Sequence, residues 1–296
     1  MILVFLIGVA LLNPQNEAAQ ALLDRAVQSA RLYTDTMRNL TAQETRTTEL
    51  FDKNGKVERR RGTVADVVVH RAGPNTLAEY RRVREVDGKT VKTRENSLDS
   101  FLKTLASASS TERELQLIQQ ESARYDLEEM QMRGMILNQA WPLEDERFRA
   151  ATDFQVQGRQ SLRGRETVVV QFEIPSSLPD SWRVGNLPEL LKAARLSGRG
   201  KIWIDAETAE IWRYETETLA IDESLTEPAV LDRMEFEYTP SRFGIPTPTR
   251  IVWTSNTRVS REKGQLKAAL RGRVTAVYSM FQRYGTDVKI VPLEVR

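Results

Sequence analysis

The residues able to do chemistry are few: one histidine, no cysteine and a handful of short patterns. His70 follows Val67-Val68-Val69 and precedes Arg71-Ala72-Gly73-Pro74, a strand end before a turn, with no nucleophile or carboxylate beside it to complete a catalytic set. One His and no Cys leave no typical zinc ligand set. Ser100-Phe101-Leu102-Lys103 and Ser260-Arg261-Glu262-Lys263 match the S-x-x-K of serine acyl-transfer enzymes. The companion Lys-Thr-Gly element is absent, so neither reads as a nucleophile. Gly198-Arg199-Gly200 opens a strand, not a helix, and so cannot set a phosphate on a helix N-terminus. Glu144-Asp145-Glu146 and Glu128-Glu129 lack the alternating oxygen-ligand spacing of a calcium loop and read as solvated faces. Asn39-Leu40-Thr41 is a glycosylation sequon by letter only, at a helix end. The expectation is a non-enzymatic protein with no catalytic residue, no metal and no cofactor.

What remains is apolar surface, and the elements must explain it. From Asn16 to Asn39 apolar positions recur at three and four residues (Ala19, Leu22, Leu23, Ala26, Ala30, Tyr33, Met37), one stripe of a helix. Strand patterns follow. Ala42–Phe51 leads into Asn54-Gly55, where a type I′ hairpin turn is expected, and the return strand ends in Val67-Val68-Val69. Ala78–Val86 closes on Asp87-Gly88, a second turn of the same chemistry, which gives an antiparallel meander. The middle reads as helical over Ser97–Leu105 and Thr111–Met132, with Thr111 and Glu114 as a capping box.

Strands resume at Phe148–Val156 and Thr167–Ile174, divided by a turn at Arg163-Gly164-Arg165. A Pro/Ser-rich loop at Pro175–Pro179 and a short helix near Leu187–Ala194 come next. Lys201–Asp205, Ile211–Thr218, the Met234–Tyr238 alternation, Ile251–Trp253, Val274–Phe281 and Val288–Val291 complete roughly ten strands. The fold class expected is α+β: a curved, unclosed antiparallel β half-barrel covered by an N-terminal helix and central helices. A long antiparallel sheet curls, and its concave face must be covered by a helix or a ligand.

The opening run Met1–Leu12 is uncharged and apolar. It is shorter than the about 20 residues of a membrane-crossing helix and within the 7–15 of a signal-peptide core. Small residues at Ala19 and Ala21 frame a cleavage site. No Lys or Arg precedes the run, which is consistent with a true start codon further upstream. The expected organisation is a signal peptide over residues 1–21 and one domain over 22–296, placed in the periplasm or outside the cell. The lack of cysteine fits an exported bacterial protein held together by core burial.

Charge narrows the partners. The chain carries 43 basic and 41 acidic residues, a net +2. That balance gives no global field for nucleic acid. Arg59-Arg60-Arg61 and Arg81-Arg82-Arg84 are local basic clusters without interleaved aromatics, and they read as solvated strand faces. The expected partners are a lipid or lipoprotein, or an envelope protein. Nucleic acid is not among them, the membrane is met peripherally at most, and the chain is expected to be a monomer.

The segment Gly200-Lys201-Ile202-Trp203-Ile204-Asp205-Ala206-Glu207-Thr208-Ala209-Glu210-Ile211-Trp212-Arg213, taken with the order of helix, meander, helices and long strands, resembles the periplasmic lipoprotein-carrier family. That family includes the LolA-like proteins and the related RseB-like sensor-binding proteins. The likeness in element order covers the chain beyond the leader, and the motif covers this hairpin. Tyr80–Lys89 is also similar to a stretch in exported bacterial proteins of unassigned role. The resemblance implies a half-barrel wrapped around helices, and it transfers no ligand-binding residue.

From the alternation itself, Val170, Phe172, Ile202, Ile204, Met234, Phe236 and Tyr238 are the candidate lining of a concave face that binds an acyl chain or a lipidated protein segment. The alternative is a protein-interaction or sensor module whose own helices fill the same face.

Overall fold

The computed structural model describes residues 14–71, 77–91, 107–127, 130–131, 135–137, 141–176, 194–222, 225, 227–262 and 265–283. The leader run, the segments expected helical at Ser97–Leu105 and over residues 187–193, Glu128-Glu129 and the strand at Val288–Val291 lie outside them. Four helices are described: α1 (Pro14–Met37), α2 (Thr111–Ala123), α3 (Trp141–Glu144) and α4 (Glu146–Ala151). None of the described helices is long and apolar enough to cross a membrane.

Thirteen strands are described. The first four are β1 (Leu40–Phe51), β2 (Val57–Arg71), β3 (Leu77–Val86) and β4 (Lys89–Thr90). Then come β5 (Asp153–Leu162), β6 (Arg165–Ile174), β7 (Arg195–Asp205), β8 (Ile211–Ile221) and β9 (Ala229–Thr239). β10 (Thr247–Ser255), β11 (Arg258–Glu262), β12 (Gln265–Ala269) and β13 (Gly272–Arg283) end the series.

Eleven of them form one sheet in the order β4-β3-β2-β1-β13-β10-β9-β8-β7-β6-β5, while β11 and β12 pair only with each other. Every pairing is antiparallel. The end strands β4 and β5 do not meet, so the sheet curves without closing. This is the expected half-barrel, with β13 returning from the C-terminal half to sit beside β1.

The turns follow residue chemistry closely. Asp87 and Gly88 both take positive φ (50° and 74°), the type I′ geometry expected between β3 and β4. The Asn54-Gly55 turn differs. Only Gly55 has positive φ (76°), and the carboxylate of Asp52 accepts the amides of Asn54 and Lys56, both at 2.8 Å. The link is a three-residue loop with glycine at the left-handed position, because Asp52 captures amides that a two-residue turn would leave to the strands.

Three boundaries also move. The helix expected over Thr111–Met132 ends at Ala123, where the Arg124 amide turns back to the Glu121 carbonyl. Ser110, not Thr111, caps α2, accepting the Arg113 amide at 3.2 Å. The strand expected from Phe148 begins at Asp153, because Asp145 accepts the Arg147 amide at 2.9 Å and starts α4, burying Phe148. The Ala19-Gln20-Ala21 site lies in the first half of α1, whose core-packed positions begin at Leu22 and Leu23.

Candidate functional site

The inner face of the sheet divides into an apolar half and a charged half. In the apolar half, strand register lines up Val170, Ile202, Tyr214, Phe236, Ile251 and Ala276 across β6, β7, β8, β9, β10 and β13. All seven residues expected to line the concave face are there and buried in one core with Tyr214. Rings form a row: Phe154 and Phe172 have centroids 6.3 Å apart, Phe172 and Tyr214 5.9 Å, and Tyr214 and Phe236 5.3 Å. The row crosses β7 because Gly200 has no side chain. An added Cβ there would stand 2.4 Å from the Phe172 ring, so the ring lies over β7 and reaches Tyr214 on β8. The glycine pattern rejected as a phosphate loop therefore has a packing role.

The cover is the chain itself. Leu23, Ala26, Val27, Ala30, Tyr33 and Met37 of α1 join the same core as Leu127, Met130, Met135, Ile136 and Leu143 of the central segment. Tyr33 stacks edge-on against Tyr238 with centroids 6.0 Å apart, and its hydroxyl donates to the Ile136 carbonyl at 2.7 Å. Thr34 donates to Glu144 at 2.8 Å. Glu144, read as part of a solvated acidic run, is thus turned onto α1. Burial pushes its carboxyl up to about 7, against the Thr34 bond and Arg31. The two covering pieces are tied to each other by hydrogen bonds and meet the apolar half of the sheet through nonpolar contacts, apart from an exposed bond from Arg25 of α1 to the Glu207 carbonyl.

The charged half is invisible in sequence. β1 points Glu44 and Arg46 inward, in phase with Leu40, Ala42 and Leu50. Arg46 pairs with Glu44 at 3.0 Å and with Asp126 at 3.3 Å. Arg81 pairs with Glu44 at 2.7 Å and with Asp126 at 3.3 Å. Tyr278 donates to Glu44 at 2.8 Å, and Arg81 donates to the Ser122 carbonyl at 2.8 Å. All four charged side chains are 3% exposed or less. Arg81 is therefore not part of a solvated basic face. Burial alone would raise the Glu44 carboxyl, but Arg46 and Arg81 overcome it and hold it at about 2.

With two cations on two carboxylates the ring is neutral, and every carboxylate is engaged. Its chemistry is that of a clamp: Asp126 and Ser122 fasten the central segment to β1 and β3. Among the described residues no group of three or more His, Cys, Asp or Glu could hold a metal ion. The side chain of His70 and the Lys of both S-x-x-K patterns lie outside the described residues.

Glu79 on β3 completes the clamp, accepting the Leu137 amide at 2.7 Å. Burial pushes its carboxyl to about 7, with the neighbouring Glu44 charge adding to the rise against that amide. The consequence for stability follows from proton linkage. Between 4.5 and 7 the folded chain keeps a proton on Glu79 that the unfolded chain has lost. Stability therefore falls as pH rises through that window. Glu44 has the opposite sign, contributing stability above 4.5 that is lost as pH falls toward 2. Urea midpoints measured from pH 5 to pH 8 should decline, and Glu79→Gln should remove roughly 2 kcal/mol of the decline. An unchanged slope in Glu79→Gln would show that this carboxyl is already ionised at pH 5.

No family model matches the sequence, and no curated protein matches it. Among solved structures the chain is similar to a DUF1329 family protein from Desulfovibrio piger, at 12% identity and TM-score 0.38, covering 92% of this chain and 95% of that one. It is similar to a LolA superfamily protein from Nitrosomonas europaea, at 11% identity and TM-score 0.32, covering 90% and 94%. It is also similar to the lipoprotein LppX of Mycobacterium tuberculosis, at 12% identity and TM-score 0.26, covering 88% and 94%.

Proposed function

We propose that the protein is an exported, non-enzymatic carrier that takes an acyl chain or a lipidated protein segment into the apolar half of its concave face. Val170, Phe172, Ile202, Ile204, Met234, Phe236 and Tyr238 are its lining. The observation that carries this reading is the nature of the cover. An apolar surface spanning β5 to β10 is roofed by one helix and short central elements, not by a second sheet. Those pieces are fastened by buried polar bonds at the charged half and, at the apolar half, by nonpolar contact with one exposed bond from Arg25 to the Glu207 carbonyl.

An acyl chain entering between roof and sheet exchanges one apolar contact for another. Each methylene brought out of water contributes about 0.8 kcal/mol, so some ten carbons offset the ordering of a displaced helix without any polar motif. Export fits the same reading, since among the described side chains of α1 cleavage after Ala21 leaves every buried one in the mature chain.

Native mass spectrometry of protein purified from a membrane-containing host should show a bound acyl lipid. Phe236→Asp should abolish the adduct. Tyr33→Phe keeps the core volume and removes only the tie to Ile136, so it should speed lipid exchange while the fold persists. A clean lipid-free mass for the unaltered chain, persisting after incubation with acyl lipid, would overturn the carrier reading.

A second reading is favoured by the burial itself. The same seven side chains are already covered by α1 and the central segment, as in an interaction module with a self-filled core. β5 then becomes the docking edge. Among the described residues it is the last strand of the sheet, pairs only with β6 and exposes residues 155–161. An added partner strand there is the outcome expected if no lipid is found.

A further inference from the structure

One end of the sheet gathers positive charge from segments far apart in the chain. β1 and β2 join there through Asp52–Lys56, and the separate β11–β12 hairpin leaves the sheet at the same end, between Ser255 and Gly272. Phe51 is the junction. Its amide donates to the Arg271 carbonyl at 3.0 Å, its carbonyl accepts from Arg258, and the Arg273 guanidinium lies 5.7 Å from its ring centre. Leu50 pairs with both Arg59 and Gly272, and Glu49 pairs with both Arg60 and Arg273, so the two basic stretches run side by side.

Residues 49–61, 258–262 and 265–273 together hold ten basic and four acidic residues, whereas the whole chain is only +2. The remainder of the protein is therefore net acidic. Lys53, Lys56, Arg59, Arg60, Lys267 and Arg273 are exposed. Four acidic residues against ten basic ones leave the patch positive. Asp52 spends its carboxylate on its own turn amides, which with Arg258 nearby hold it low. Glu49 pairs with Arg60 at 3.9 Å.

We propose that this basic end seats the protein on an anionic phospholipid surface. The charges are spread over two hairpins and a strand end. The one aromatic ring at the centre, Phe51, is buried beneath Arg273 and offers no face for a base to stack on. A broad, shallow, multipoint positive surface matches a plane of anionic headgroups, where each Lys or Arg near the surface strengthens binding about fivefold. The inference goes beyond the carrier reading and does not depend on it, because the surface lies at the strand ends and not on the concave face.

The test is cosedimentation of the full chain, stripped of lipid, with phosphatidylcholine vesicles with and without phosphatidylglycerol. The protein should pellet only with the phosphatidylglycerol vesicles, and added salt should release it. Lys53→Glu with Lys56→Glu alters two exposed loop side chains and should weaken binding about 25-fold or more. Lys201→Glu with Arg242→Glu makes the same charge change at two exposed positions away from the patch and should leave binding unchanged. Equal binding to phosphatidylcholine alone, indifference to the Lys53/Lys56 reversal, or tighter binding to duplex DNA than to the anionic vesicles would each overturn the proposal. Because the protein is lipid-free, a chain that never copurifies an acyl lipid still passes or fails on its own terms.

Discussion

Glu44→Ala should destabilise the protein by about 3–5 kcal/mol, read as a lowered urea midpoint at neutral pH. The size comes from what the substitution leaves behind. Arg46 and Arg81 are both buried and would share Asp126 alone, and the Tyr278 hydroxyl would lose its acceptor. An uncompensated cation in a low-dielectric interior costs far more than the pair contributes when complete. The contrast lies on the surface. Arg159 and Glu166 also form an ion pair, but at 67% and 59% exposure. Glu166→Gln should therefore change stability by about 0–1 kcal/mol. If Glu44→Ala were as mild as Glu166→Gln, water must reach the ring and the clamp would not exist. Replacing the four charges together by apolar residues of similar volume should be close to neutral, because the ring's worth lies in holding the central segment and not in net attraction.

The clamp shows where sequence reading stops. Period-two alternation finds Met234, Phe236 and Tyr238 because their partners in the pattern, Glu235 and Glu237, are charged. On β1 the same logic sends Glu44 and Arg46 to solvent, since it has no way to see that Arg81 comes back to Glu44 and that Asp126, 80 residues after Arg46, comes back to Arg46. Arg81 reads as basic surface for the same reason. Turns are legible wherever a positive φ leaves its mark on residue type, as at Asp87-Gly88. They are less so where a side chain overrides the backbone, as Asp52 does. The β11–β12 hairpin carries too few apolar residues to announce two strands, and short caps such as Asp145 shift a boundary by a turn. The aromatic row is legible in its members and not in its continuity, because nothing near Phe172 in sequence says that Gly200 will lie beneath it.

That continuity gives the second large effect. Gly200→Ala should cost about 3 kcal/mol, the upper end of what overpacking a core usually costs. The added methyl would stand 2.0 Å from the main-chain oxygen of Glu215 and 2.4 Å from the Phe172 ring. The first of these atoms belongs to a hydrogen-bonded neighbouring strand and cannot swing away as a side-chain tip can. Relief requires β7 to part from β8 or Phe172 to leave its place, and either change breaks the 5.9 Å stacking of Phe172 on Tyr214. Gly198→Ala, two residues earlier on the same strand, is the internal comparison. Its nearest obstacle is the tip of Ile174 at 3.1 Å, a flexible group that can rotate, so its cost should be well under that of Gly200→Ala. Urea midpoints of the two variants decide the matter, and near-ultraviolet circular dichroism reports the aromatic row separately. Equal midpoints with an unchanged aromatic signal would mean that the ring of Phe172 does not rest on β7. In the expected case Gly200→Ala also lifts Phe172 out of the concave face, and the lining of the proposed acyl site is interrupted between β6 and β8.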